Sequence, residues 1–172
     1  MNSFLNPNEI LNQLELQENM IAADFGSGSG GWVIPLAKKL NKGKIFAIDV
    51  QEEMLSALKG KAEIEKIYNI ETKRQDLEKG SGLREDSLDL VLMTNLLFQI
   101  DDPEKIIEDA KKVLKSGGKI LIIDWLEDSA IGPKESRIPE KTVSKMAEDA
   151  GLILEKYFKA SPYHWGLIFK KP

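Results

Sequence analysis

The stretch that most constrains this 172-residue chain is Ala23-Asp24-Phe25-Gly26-Ser27-Gly28-Ser29-Gly30-Gly31. It follows the apolar run Met20–Phe25 and opens a helical stripe of Val33, Leu36, Ala37 and Leu40. Glycines at that spacing let the backbone approach a ligand closely, and the start of the next helix offers free N–H groups to an anion. Strand, tight turn and helix in that order begin a βαβ unit, which predicts an α/β chain with right-handed crossovers.

The rest of the chain continues the alternation. Further strands are expected at Lys44–Val50, Ile70–Arg74, Leu88–Thr94 and Lys119–Trp125. Near-continuous apolar runs of this kind belong to a parallel sheet covered on both faces. Leu152–Lys159 and Trp165–Lys170 are separated only by Ala160–His164, a spacing that suits an antiparallel hairpin. One helix is expected from the cap Asp102 through Lys115, closed by Gly117, and another between Pro139 and Gly151. Met54, Leu55, Leu58 and Ala62 form a weaker stripe, and Pro35 should disturb the helix after the glycine turn. A short helix near Asn8–Leu16 forms an N-terminal cap over residues 1–19, and Leu126–Ile138 reads as a long loop at the mouth of the sheet.

Three acids bear on the ligand. Asp24 precedes the glycines, Asp49 ends the second strand and Asp76 follows the third. A carboxylate at Asp49 can accept from both hydroxyls of a ribose, and one at Asp76 from an adenine amino group. The glycines fit both G-x-G-x-G and, through Gly31, G-x-G-x-x-G, so they do not separate a methyl-donor site from a dinucleotide site. Charge discriminates better. A net-positive sulfonium cofactor suits three acids, whereas a pyrophosphate would be repelled. None of the tyrosines Tyr68, Tyr157 and Tyr163 has Lys four positions on, and no Gly-Lys-Ser/Thr occurs, which argues against a nicotinamide oxidoreductase and a P-loop. The chain has no cysteine, so thiolate nucleophiles and thiolate metal sites are excluded, and no metal site is expected. Lys and Arg number 24 against 28 Asp and Glu, a net charge of −4 that disfavours nucleic acid as a partner.

Asp24 to Gly30, then Ile48-Asp49-Val50-Gln51-Glu52-Glu53-Met54-Leu55, Leu88-Asp89-Leu90-Val91-Leu92-Met93-Thr94-Asn95 and Val113-Leu114-Lys115-Ser116-Gly117-Gly118 resemble the class I S-adenosylmethionine-dependent methyltransferases. The resemblance runs from about residue 20 to the end and is nearest to the ubiquinone/menaquinone C-methyltransferase branch. It implies one Rossmann-like three-layer domain over residues 1–172. Its seven-stranded, mostly parallel sheet would have the order 3-2-1-4-5-7-6 and a terminal antiparallel strand. It also implies a cofactor site for S-adenosyl-L-methionine, with S-adenosyl-L-homocysteine as product. Gly26, Ser27, Gly28 and Gly30 would surround the methionine part and Asp24 would place its amino group. Asp49 would hold the ribose, Val50 would pack on adenine, and Asp76 and the Leu77 N–H would meet the adenine edge. Asn95 would present backbone to the cofactor. Gln51 stands where the family commonly has Ser, a poorer helix cap.

A small-molecule acceptor is the reading carried forward, with Gln99, Trp125, Arg137 and His164 as substrate-side residues near the carboxyl edge of the sheet. After strand four the chain has Thr94-Asn95-Leu96-Leu97 rather than Asn/Asp-Pro-Pro-Tyr, which sets it apart from amino-nitrogen methyltransferases. An RNA or protein methyltransferase, which the net charge of −4 disfavours, is one rival, and a cofactor-binding module without an acceptor pocket is the other, because the region before strand one is short. The first basic side chain is Lys38 and no apolar run approaches the roughly 20 residues of a membrane span, so a cytoplasmic protein is expected. The sequence is silent on oligomeric state.

Overall fold

Along β1 (Ile21–Phe25) successive side chains enter two different cores, as the two-residue period of a strand requires. Ala22 packs on the side of α1 (Pro7–Leu11), α2 (Val33–Lys39) and α3 (Glu52–Ile64), with Leu36 and Leu58. Ala23 and Phe25 pack on the opposite side, against Ile107 of α4 (Pro103–Val113) and Val143 of α5 (Glu140–Asp149). This double burial explains why the central strands read as continuous apolar runs. The computed structural model describes residues 4–172. Residues 1–3, the start of the expected N-terminal cap, lie outside the described residues.

The sheet is completed by β2 (Lys44–Asp49), β3 (Ile70–Arg74), β4 (Leu88–Thr94), β5 (Leu114–Trp125), β6 (Ile153–Ser161) and β7 (His164–Lys170), in the order β3-β2-β1-β4-β5-β7-β6. The strands from β3 to β5 pair in parallel, and β7 runs antiparallel to both β5 and β6. This is the order that the resemblance implies. At its foot, Asp89 accepts from Ile21 N (2.8 Å) and Lys115 Nζ (2.9 Å), tying β1, β4 and β5 together. Among the described residues no helix is long and apolar enough to cross a membrane.

Several boundaries differ from expectation. α4 stops at Val113 and Leu114 already pairs with Leu88, so the backbone turns extended two residues before the expected end at Lys115. Gly117, at φ +80°, then serves a turn within β5, its N–H bonded to Lys171 O. α1 ends at Leu11, and Gln13 and Leu14 close tight turns on Ile10 and Leu11 instead of continuing it. Leu14 is nevertheless buried. Pro35 falls in the first turn of α2, between the bonds Ile34 N to Gly30 O and Leu36 N to Trp32 O, so it removes one bond and the helix continues.

Two helices end with the same motif. After α5, Gly151 (φ +83°) donates to Glu148 O and Leu152 to Ala147 O. After α3, Lys66 (φ 56°) donates to Glu63 O and Ile67 to Ala62 O. A side chain at that left-handed position costs roughly 1 kcal/mol that glycine avoids. Lys66→Gly is therefore expected to raise stability by roughly 0.5–1 kcal/mol, or about 2–4 °C in Tm per kcal/mol, against the extra chain entropy of glycine in the unfolded state. Thermal unfolding checks this, and a fall in Tm would contradict the motif's reading.

Candidate cofactor-binding site

A cleft of about 480 Å³ opens at the carboxyl ends of β1, β2 and β4, where open α/β sheets bind ligands. Its volume lies within the roughly 300–1,000 Å³ of small-molecule sites. Gly26, Gly28, Asp49, Val50, Asp76, Leu77 and Asn95 line it, seven of the ten expected cofactor residues. Asp24, Ser27 and Gly30 are not in its lining.

The glycine turn is held from β2. Gly26 N and Ser27 N both donate to Ile48 O at 2.9 Å. Asp49 then accepts from Gly28 N at 2.8 Å with one carboxylate oxygen and from Gln51 N at 2.9 Å with the other. A carboxylate has about four acceptor directions, so each oxygen retains capacity toward the cleft. Gln51, at the cap position of α3, makes no side-chain cap bond, and its own N–H is held by Asp49. The glycines divide their roles. At Gly28 (φ +53°) a Cβ would meet nothing within 4 Å, so the turn faces open space. At Gly30 (φ +93°) a Cβ would lie 2.3 Å from Leu58, so this glycine allows α3 to pack and turns away from the cleft.

Asp24 lies behind this turn. It is 1% exposed, and neither carboxylate oxygen has a hydrogen-bond partner among the described residues. Burial, and secondarily the charge of Asp49, push its carboxyl up to about 8. A buried acid without a donor calls for a cationic or N–H partner. The ammonium of S-adenosylmethionine meets that need, and the open Gly28 and the free acceptor directions of Asp49 suit the rest of the molecule. The residues present therefore fit that cofactor.

Around the rim, Val50 is 57% exposed, an apolar side chain left bare at the cleft. Asp76 caps the 3-10 turn Leu77–Lys79 by accepting from Glu78 N, and pairs with Lys79 at 3.3 Å. Asn95 sits at φ +51° with its N–H on Ile123 O, and its Oδ1 is buried without a partner among the described residues. Sequence reasoning missed Gln51, Met54, Gln75, Glu78, Thr94, Leu96 and Ile100 in the lining. Gln51, Met54 and Thr94 stand within the matched motifs, Gln75 and Glu78 flank Asp76 and Leu77, and Leu96 follows Asn95, so position after a strand was the available signal.

The four substrate-side residues are scattered. Gln99 lines the cleft itself and donates to Asn95 O at 2.7 Å. Trp125 and His164 face each other at the mouth of β5 and β7, ring centroids 4.2 Å apart, with Phe4 5.3 Å and 5.1 Å from them and stacked on Tyr163. His164 is fully buried; its Nδ1 meets Ser161 Oγ at 2.9 Å, and its Nε2, like Trp125 Nε1, has no partner among the described residues. Burial lowers His164 to about 4, so it is neutral at pH 7. Arg137 is directed inward. Its guanidinium donates to the carbonyls of Leu126, Glu127, Ser129, Ile131 and Pro133, so it staples the 126–138 loop and has little donor capacity left for an anion. Gly132 of that loop packs onto Trp125, where a Cβ would lie 2.3 Å from the indole.

A family model described as a methyltransferase domain matches residues 16–163. The crystal structure of a SAM-dependent methyltransferase from Aquifex aeolicus superposes with a TM-score of 0.88 at 30% identity, covering 96% of this chain and 89% of that one. A demethylmenaquinone methyltransferase from Oceanobacillus iheyensis is 25% identical over 133 residues, 74% of this chain. An uncharacterized protein of Methanocaldococcus jannaschii is 31% identical over 133 residues, 77% of this chain. The matches cover 54% and 57% of those two relatives, so the chain spans little more than half their length. From its motifs, its strand order and these likenesses, the chain belongs to the class I S-adenosylmethionine-dependent methyltransferase family, near the quinone methyltransferase branch.

Proposed function

We propose that this chain is an enzyme, a single methyltransferase domain that transfers the methyl group of S-adenosylmethionine to a small-molecule acceptor. The observation that carries this is Asp24, a buried acid without a partner among the described residues, beside an open glycine turn and the Asp49 cleft. When bound, the cofactor supplies a methyl group made electrophilic by its sulfonium. The protein's own residues do the rest. Asp24 would hold the ammonium, Asp49 the ribose hydroxyls, Val50 the adenine face, and Asp76 with the Leu77 N–H the adenine edge. Such positioning is the main catalytic demand of an in-line transfer, and a base is needed only if the acceptor must lose a proton.

The relatives favour a small acceptor, since demethylmenaquinone methyltransferases stand among them. The net charge of −4 weighs against RNA. Trp125 and His164 form a buried, uncharged aromatic pair behind Phe4 near the carboxyl edge of the sheet, with two polar atoms that have no partner among the described residues. Methyl-labelled S-adenosylmethionine offered with small-molecule extracts, RNA and protein tests the acceptor directly. Label is expected in the small-molecule fraction, and label confined to RNA or protein would overturn that half of the proposal.

Asp49→Ala removes two charge-assisted acceptors worth about 1.5–3 kcal/mol each. Affinity for S-adenosylhomocysteine is expected to fall at least tenfold by calorimetry while the circular dichroism spectrum is kept. Unchanged affinity would leave Asp49 only its role as a clamp on Gly28 and Gln51.

Asp24 makes a pH-dependent prediction. Its carboxyl titrates near 8 in the folded ligand-free protein and near 4 unfolded, so the folded state binds the extra proton between those values. Its contribution to stability is therefore fully present below about pH 4 and is lost as pH rises toward 8. Asp24→Asn, which cannot ionise, is expected to be progressively more stable relative to the parent as pH rises from 5 to 8, and to bind S-adenosylhomocysteine more weakly. Parallel stability curves over that range would show that Asp24 is not a buried uncompensated acid.

A further inference from the structure

One buried acid has no part in the scheme above. Asp124 is the penultimate residue of β5 and is 1% exposed. By the alternation along β5 it lies on the face of Ile120 and Ile122, toward α4 and α5. Its Oδ1 accepts from Trp125 N at 2.9 Å and its Oδ2 from Phe98 N at 3.3 Å, with the Leu97 N–H also directed at it. Burial raises its carboxyl to about 6, and these three N–H groups hold it from rising further.

Leu97 and Phe98 begin the 3-10 turn Leu97–Gln99. The first N–H groups of such a turn have no partner within it and need a cap. Leu96, the residue at the cap position, provides no side-chain bond. Asp124 provides it instead, from another strand and 26 residues away. This turn is also a wall of the cofactor cleft, to which Leu96, Gln99 and Ile100 belong. Leu96 Cδ1 reaches to within 2.8 Å of where a Gly26 Cβ would stand, so the wall is set directly against the glycine turn.

We propose that Asp124 is a positioning residue, which caps the Leu97–Gln99 turn from β5 and thereby holds the Leu96–Ile100 wall in its cofactor-binding shape. It touches no ligand, being buried on the α4 and α5 side of the sheet. The proposal rests on the reading of the cleft as the site of S-adenosylmethionine. The same carboxylate bonds the N–H of Trp125, so the cleft wall and the end of the strand that carries Trp125 are fixed by one group.

Two variants test it. Asp124→Asn keeps the shape and one acceptor oxygen; Asp124→Leu removes both. Amide hydrogen exchange of Leu97 and Phe98, followed by NMR in the ligand-free protein, is expected to quicken about tenfold or more in Asp124→Leu and less in Asp124→Asn, as loss of charge-assisted bonds implies. Exchange in β1 and β2 should be unaltered. The dissociation constant of S-adenosylhomocysteine is expected to rise about threefold to tenfold in Asp124→Asn and further in Asp124→Leu, in that order. If Asp124→Leu does not fold, Asp124→Asn alone decides. Unchanged exchange at Leu97 and Phe98 would overturn the capping, and faster exchange with unchanged affinity would overturn the positioning. Failure of the parent protein itself to bind S-adenosylhomocysteine would overturn the cofactor reading and the positioning with it, and the exchange rates would still decide whether Asp124 caps the turn.

Discussion

The site depends on two acids placed side by side at the ends of β1 and β2. Asp49 is accommodated by the protein itself, through the N–H groups of Gly28 and Gln51. Asp24 has no such partner among the described residues, and burial together with the charge of Asp49 keeps a proton on it near neutrality. Native structures seldom leave a buried carboxyl in this state, because an unpaired polar group in a low-dielectric interior is costly. The arrangement is understandable when the missing partner is a ligand. A cation arriving behind the glycine turn would relieve both the desolvation of Asp24 and its repulsion by Asp49.

The fold around these acids holds the backbone that borders them. Ile48 O fixes Gly26 and Ser27, Asp49 fixes Gly28, and Leu58 packs where only a glycine at position 30 permits it. On the opposite side Asp124 and Leu96 set the second wall. Beyond it, Trp125, His164, Tyr163 and Phe4 form a packed aromatic mouth, and Arg137 gives the adjoining loop a fixed shape through five carbonyls. These bonds hold the loop in one shape near the carboxyl edge of the sheet. That preorganised walls surround the reacting groups is what an enzyme working chiefly by alignment requires.

Features set by local pattern were legible in the sequence. The apolar runs, the glycine turn between strand and helix, and the acids closing β1 and β2 all follow from periods and turn chemistry that neighbouring residues impose. The order of the strands came through the family resemblance and agrees with the observed sheet. Features set by the folded arrangement rather than by local pattern were not legible. The end of α4 is decided by pairing of Leu114 with Leu88, 26 residues earlier, and the orientation of Arg137 by carbonyls of its own folded loop. Gly30 belongs to the same glycine run as Gly28, yet only the position of α3 shows that it faces Leu58. Asp124 stands next to last in an apolar strand as Asp24 does, so the same pattern marks both acids in the sequence.

The account turns on Asp24 gaining a positive partner when the cofactor binds. Calorimetric titration with S-adenosylhomocysteine at pH 7, repeated in buffers of different ionisation enthalpy, counts the protons that move on binding. A carboxyl near 8 in the ligand-free protein that ionises beneath an ammonium should release about one proton per molecule bound. Binding with no proton released, or with a proton taken up, would contradict the account.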